Sequence, residues 1–158
     1  MRRTTRNVLL VVALAMIAFG QMTDASEVSS QTDSTVDGAM AEHPLSGTHW
    51  WVEDIDGHGV IDASHTTIGF PEPGRVAGDT ACNRYMGTLE FDGGTLSFGP
   101  LAGTRKACHE PLMNQETRFY GAMAKAVTWE IADTGLLHLR DAEGQSVLRA
   151  YRIEDGSA

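Results

Sequence analysis

The chain has 158 residues, with 21 acidic side chains against 12 lysines and arginines, a formal net charge of −9, and 42% hydrophobic residues. A chain this acidic repels nucleic acid and anionic membrane surfaces, both of which are held by basic patches, and it carries no motif for either. Its size and apolar content suit one ordinary folded domain, and no internal repeat is visible.

Met1–Arg6 contains Arg2, Arg3 and Arg6 and no acid, and Val8–Phe19 is apolar apart from small residues. A basic start, a short apolar run and a small-residue cleavage site describe a secretory signal. The run is shorter than the ~20 residues needed to cross a bilayer. Residues 1–20 are therefore read as a signal peptide, with cleavage after Gly20 or Ala25. Arg2-Arg3 is not followed directly by apolar residues, which points to export in the unfolded state. No cysteine lies near the end of the apolar run to accept a lipid. The mature protein is expected to be periplasmic or secreted, without a stable membrane anchor and not a lipoprotein. Residues 21–42 hold Asp24, Glu27, Asp33, Asp37 and Glu42 but no lysine, arginine or aromatic residue. Such a segment cannot bury enough apolar surface to offset its ordering entropy. With His43 it reads as a disordered acidic tether, 21–43, leading to a folded domain, 44–154.

In the folded part, Thr48–Ile55 is rich in tryptophan, valine and isoleucine and is closed by Asp56-Gly57, so it reads as a strand ending in a turn. Trp50 and Trp51 must then face opposite sides. Thr66, Ile68 and Phe70 share one face of a second strand, Pro71–Gly74 breaks it, and Arg75–Gly78 begins the return. Thr88–Phe98 is the clearest hairpin: Leu89 and Phe91 alternate with polar residues, Gly93-Gly94 turns, and Leu96 and Phe98 resume the apolar face. From Pro111 to Val127 the period changes to that of a helix. Leu112, Phe119, Met123 and Ala126 fall on one stripe, with Asn114, Gln115, Arg118 and Lys125 largely elsewhere. Pro111 suits the first turn, where its missing N–H costs nothing. Thr128–Ile131, Leu136–Arg140 and Val147–Ile153 read as three further strands separated by turns at Asp133–Gly135 and Asp141–Gly144. A lone helix must bury its stripe against a sheet. The expected fold is α+β and β-rich: a small antiparallel curled sheet, or partly open barrel, with one amphipathic helix.

Cys82 and Cys108 are the chain's two cysteines. An even count in an exported protein favours a disulfide between them; a redox or nucleophilic pair is the alternative, although no Cys-x-x-Cys is present. The bond would bring Asn83 and Arg84 close to Thr104 and Arg105. Arginine forks carboxylates and phosphates, so these four residues are candidates for recognition of an anionic group. Equally, asparagine and threonine can hold turns, and the arginines can pair with an acid such as Glu116.

The segments Cys82-Asn83-Arg84-Tyr85-Met86-Gly87 and Leu101-Ala102-Gly103-Thr104-Arg105-Lys106-Ala107-Cys108, separated by the hairpin, resemble the META domain, also called the HslJ-like domain. Leu45-Ser46-Gly47-Thr48-His49-Trp50 resembles its start, and a helix containing Glu116 followed by strands resembles its end. The resemblance implies a compact β-rich fold without established catalytic activity, and a contribution to envelope stress resistance or antibiotic tolerance. Many relatives carry methionine where this chain has Lys106.

No other chemistry is nominated. The histidines lack ligand spacing, His109–Met113 lacks the second histidine of a zinc-protease motif, and Asp54–Gly57 begins a calcium-loop pattern that His65 fails to close. There is no Gly-x-Ser-x-Gly and no phosphate loop. No catalytic residue, metal or cofactor is expected. The chain is read as a monomeric interaction module for an unknown envelope protein. The alternative is a carrier of a lipid or hydrophobic small molecule, with Met86, Met113 and Met123 as adaptable cavity walls.

Overall fold

Alternation in Thr48–Ile55 makes one wall of the core. This run forms strand β1, with Thr48, Trp50, Val52 and Ile55 buried. Ile55 returns to the inner face because a bulge between Val52 and Asp54 shifts the phase by one residue. In the computed structural model, which describes residues 43–154, β1 turns through Asp56 (φ 52°) and Gly57 (φ 76°) into the two-residue β2, His58–Gly59. Two successive positive φ values are what a two-residue primed hairpin turn requires. The expected signal peptide, both cleavage positions and residues 21–42 lie outside the described residues.

The chain continues through β3 (Thr67–Phe70), β4 (Arg75–Asp79), β5 (Arg84–Asp92), β6 (Thr95–Gly103), helix α1 (Glu110–Lys125), β7 (Thr128–Ile131), β8 (Leu137–Arg140) and β9 (Ser146–Arg152). All pairings are antiparallel. Strands β1, β3, β4, β5, β6, β7, β8 and β9 neighbour one another in that order, and β9 pairs back onto β1, curling the sheet into a ring. The β-rich sheet with one helix matches the expectation from sequence.

The central hairpin is longer than Thr88–Phe98, because pairing runs on from Gly87 to Leu101 and from Tyr85 to Gly103 across a bulge. Gly93 takes φ 59° at its tip. At Gly78 a Cβ would lie 2.3 Å from the carbonyl oxygen of Thr67, so only glycine lets β3 and β4 approach this closely. The ring is least tightly sewn between β6 and β7, where Thr95 opposite Thr128 is the register pair.

Trp50, Phe70, Phe119, Leu45, Ile55, Ile68, Met123, Leu137, Leu139 and Leu148 fill the interior. Helix α1 begins one residue before Pro111 and stops at Lys125, whose ammonium pairs with Asp56 at 2.8 Å. That ion pair ties the helix end to the β1–β2 turn and raises the Lys125 pKa, chiefly through the hydrogen bond to Asp56.

The helix differs from expectation at Gln115. It is fully buried on the same face as Phe119, four residues on, rather than on the polar side. Its Oε1 accepts from Ile61 N–H at 2.7 Å. Its Nε2 donates to Ser64 Oγ at 3.0 Å and Thr66 Oγ1 at 2.9 Å. The amide is thus satisfied on both sides, and it clamps the 61–66 loop to the helix.

At the start of the described chain, His43 stacks on Phe91 with ring centroids 3.4 Å apart and lies 4.8 Å from Trp129. His43 therefore packs on the domain itself, one residue ahead of the boundary expected at 44. Burial lowers its pKa below 6.5, and its Nδ1 accepts from Leu45 N–H at 3.2 Å.

Two outcomes follow. Gln115→Leu leaves the Ile61 N–H and Thr66 hydroxyl unpaired, at a cost of about 2–3 kcal/mol in denaturant melts, with hydrogen exchange at Ile61 accelerated. For His43, the unfolded state binds the proton more readily than the folded one, so its contribution is intact above pH 6.5 and is lost as pH falls below that value and through the lower pKa of the folded state. Comparing melts of the wild type and His43→Gln between pH 7.5 and 5 should show the smaller loss in the variant.

Candidate functional site

The strand β4 ends in a tight turn, Thr80–Asn83, that the side chains themselves close. Thr80 N–H and Oγ1 donate to the Asn83 carbonyl at 2.8 and 3.1 Å, and Asn83 N–H donates to Thr80 Oγ1 at 3.0 Å. Ala81 sits at φ 72°, a left-handed conformation that costs a non-glycine residue ~1 kcal/mol or more and aims Cys82 out of the strand direction. Cys82 and Cys108 are joined by a disulfide, with Cα atoms 6.0 Å apart. It connects this turn to the residue two before the helix.

Asn83, 4% exposed, uses every polar atom of its side chain. Its Oδ1 accepts from Thr104 Oγ1 at 2.8 Å and from Lys106 N–H at 2.7 Å. Its Nδ2 donates to both oxygens of Glu116, at 3.2 and 3.0 Å, and to the Lys106 carbonyl at 3.4 Å. One amide therefore holds the end of β6, the loop after it and the helix. Thr104 Oγ1 also accepts from Arg84 N–H at 3.2 Å, and Thr104 N–H donates to the Arg84 carbonyl at 2.9 Å.

This arrangement separates the four candidate residues. Asn83, buried, and Thr104, exposed but bonded to it, serve as scaffold. Arg84 and Arg105 flank Thr104: Arg84 is bonded to it through the backbone, and Arg105 follows it directly in the chain. Both arginines are exposed. The Arg84 side chain, 83% exposed, meets Asp79 at 3.8 Å, a contact weakened by water. Arg105 has no ion pair among the described residues. The alternative of an arginine pairing with an acid is met at Asp79 rather than at Glu116, whose carboxylate is occupied by the Asn83 amide. Glu116 as the partner of Asn83 carries no signal in spacing, since the two lie 33 positions apart.

Two open grooves meet at Thr104. One, of about 380 Å³, runs between Arg105, Lys106, Met113, Glu116 and Tyr120. The other, of about 350 Å³, is bordered by Arg84, Met86 and Ala102. The Tyr120 phenol stays protonated, its pKa raised first by burial and then by the Glu116 charge. Tyr85, fully buried beside it, donates to the Thr67 carbonyl at 3.0 Å, and burial raises its pKa well above 10.0. Met86 and Met113 are 57% and 43% exposed, so they border these surface grooves, while Met123 is packed in the core. The set offers two guanidinium groups, an ammonium and apolar thioethers around a phenol and the amide-bonded Glu116 carboxylate. It can hold an anion but presents no activated nucleophile. Among the described residues no grouping of His, Cys, Asp and Glu could hold a metal ion, and no helix is long and apolar enough to cross a membrane.

Comparison with known proteins places the geometry in a family. The META domain model matches residues 43–153. An NMR structure of a protein from Burkholderia xenovorans is similar, with 26% identity and a TM-score of 0.56, covering 69% of this chain and 83% of that one. A second NMR structure shares the fold at 23% identity and a TM-score of 0.54, covering 67% of this chain and 90% of that one. No curated protein matches the chain.

If Asn83 is the scaffold and the arginines are not, substitution separates them. Asn83→Ala should lower stability by about 2–4 kcal/mol, since it strands several partners at once. Cys82→Ser and Cys108→Ser should each cost about 3 kcal/mol, and the double variant little more than either. Arg84→Ala and Arg105→Ala should stay within about 0.5 kcal/mol of the wild type in thermal or urea melts.

Proposed function

The chain belongs to the META domain family, and we propose that it works as an exported, non-enzymatic interaction module. Arg84 and Arg105 contact a carboxylate- or phosphate-bearing surface of another envelope protein. The observation that carries this reading is the exposure of two arginines flanking Thr104, on a backbone fixed by the disulfide-bonded turn. In a chain of net charge −9, cations left without strong acid partners at one rim are set apart from the rest of the surface. Backbone fixation lowers the entropy lost when an arginine forks a carboxylate. Exposed Met86 and Met113 supply adaptable apolar contact around the charge.

The META domain is not a known enzyme family, and the groove beside the arginines holds a protonated phenol and an amide-bonded carboxylate rather than a nucleophile–base pair. Residues 1–20 support export, with a mature chain in the periplasm or outside the cell. A role in envelope stress or antibiotic tolerance is the process this module would serve. The carrier reading draws less support, because large side chains fill the ring's interior and Met123 is among them.

The mature protein, used as bait in an envelope fraction, should retain a partner that Arg105→Ala and Arg84→Ala bait lose, with unchanged melting temperatures. Undiminished capture by both variants would overturn the recognition role, and so would a stability loss of several kcal/mol in either. Native mass spectrometry of the same material should give the mass of the bare chain lacking Met1–Gly20 or Met1–Ala25. A co-purified lipid would favour the carrier instead.

A further inference from the structure

We propose that the outer face of β1 and β9 carries a second binding site, an aromatic corner that takes an organic cation: an ammonium or guanidinium on an apolar stem. The site uses none of the residues assigned above to recognition. Strand alternation sends Trp50 into the core and Trp51 outward. In the register of β1 with β9, Trp51 stands directly opposite Tyr151, which is 47% exposed. On the other side, His65 meets Trp51 with ring centroids 4.9 Å apart and planes at 83°. Three aromatic side chains therefore line one groove of about 450 Å³.

The far wall of that groove is the 61–65 loop, and it is held in place. The buried Gln115 amide accepts from Ile61 N–H and donates to Ser64. Ser64 N–H donates to the Ile61 carbonyl at 2.9 Å, across Ala63 at φ 57°. A non-glycine residue in the left-handed region persists where its surroundings fix it, and such positions cluster at binding sites. The wall is thus preorganised by the core rather than free to collapse.

Charge selects the ligand class. The charged groups lining the groove are Glu53 and Asp62, both acids, and no lysine or arginine lines it. Glu53 is half-occupied by the Arg149 guanidinium, which approaches it from β9. Asp62 is exposed and has no ion pair among the described residues. Aromatic ring faces carry negative potential and attract a cation within ~6 Å. Beside them, an uncompensated carboxylate in an acidic chain adds to that potential. A neutral saccharide would use the same rings without drawing on the carboxylate, so a neutral isostere decides between the two.

The test uses the full chain with its tryptophans labelled with nitrogen-15. The Trp51 indole resonance is followed while n-butylammonium or neutral n-butanol is added at constant ionic strength. Butylammonium should give a saturable shift, with n-butanol binding about tenfold more weakly or not at all. Asp62→Asn should weaken the ammonium by up to about fivefold. Tyr151→Ala, at an exposed position, should weaken it by a similar or larger factor, and Arg84→Ala should leave it unchanged. The capped tripeptide Gly-Lys-Gly separates the sources. Tighter binding than butylammonium assigns the site to a basic segment of a partner protein, and equal or weaker binding assigns it to free small amines. Equal binding of n-butanol would overturn the proposal, as would indifference to both Asp62→Asn and Tyr151→Ala.

Discussion

The fold around the candidate site depends on one side-chain amide. Asn83 is where the turn after β4, the end of β6, the loop after it and the first half of the helix meet. Asparagine suits that place because its side chain carries an acceptor and two donors in one plane. Aspartate would face Glu116 with a second negative charge, and glutamine would reach too far for the same contacts. A buried group satisfied on all sides gains rigidity from the low surrounding dielectric, and the same dielectric makes losing any one partner costly. The disulfide next to it acts on the unfolded chain, by shortening the loop that must be closed. The amide then sets how the closed loop sits on the helix.

From this follows the division of labour along the Cys82 and Cys108 segments. Asn83 and Thr104 are consumed by scaffold bonds. The outward-facing arginines inherit a fixed backbone without being part of it. A second clamp, Gln115, does for the 61–66 loop what Asn83 does for the disulfide loops. The two faces with exposed chemistry, cationic beside Arg105 and acidic-aromatic beside Trp51, are therefore both braced by buried amides that reach helix α1 or extend from it.

Much of this was legible in the sequence where periodicity speaks. The bounds of β1 are legible because Thr48–Ile55 is rich in tryptophan, valine and isoleucine and Asp56-Gly57 ends the run. Gly93-Gly94 marks the central hairpin. Its extension to Arg84 and Gly103 is not legible, because Gly87, Gly99 and Pro100 carry little strand signal, although pairing continues across the bulge. Residue type alone puts Gln115 on the polar side, yet its position four before Phe119 lies on the buried stripe. A polar residue there signals a buried hydrogen-bond clamp. The pairing of Glu116 with Asn83, 33 residues apart, could not be read from local pattern, because ring closure brings them together. The bulge that turns Ile55 inward was equally invisible.

The central claim is that Asn83 and Glu116 act as one unit that fixes the helix against the disulfide loops. A double-mutant cycle with Asn83→Ala, Glu116→Ala and the double variant, read by urea melts at neutral pH, measures that coupling directly. The account predicts a favourable coupling of about 1.5–3 kcal/mol, the range for a hydrogen bond to a charged group. Additive losses in the two single variants would contradict it.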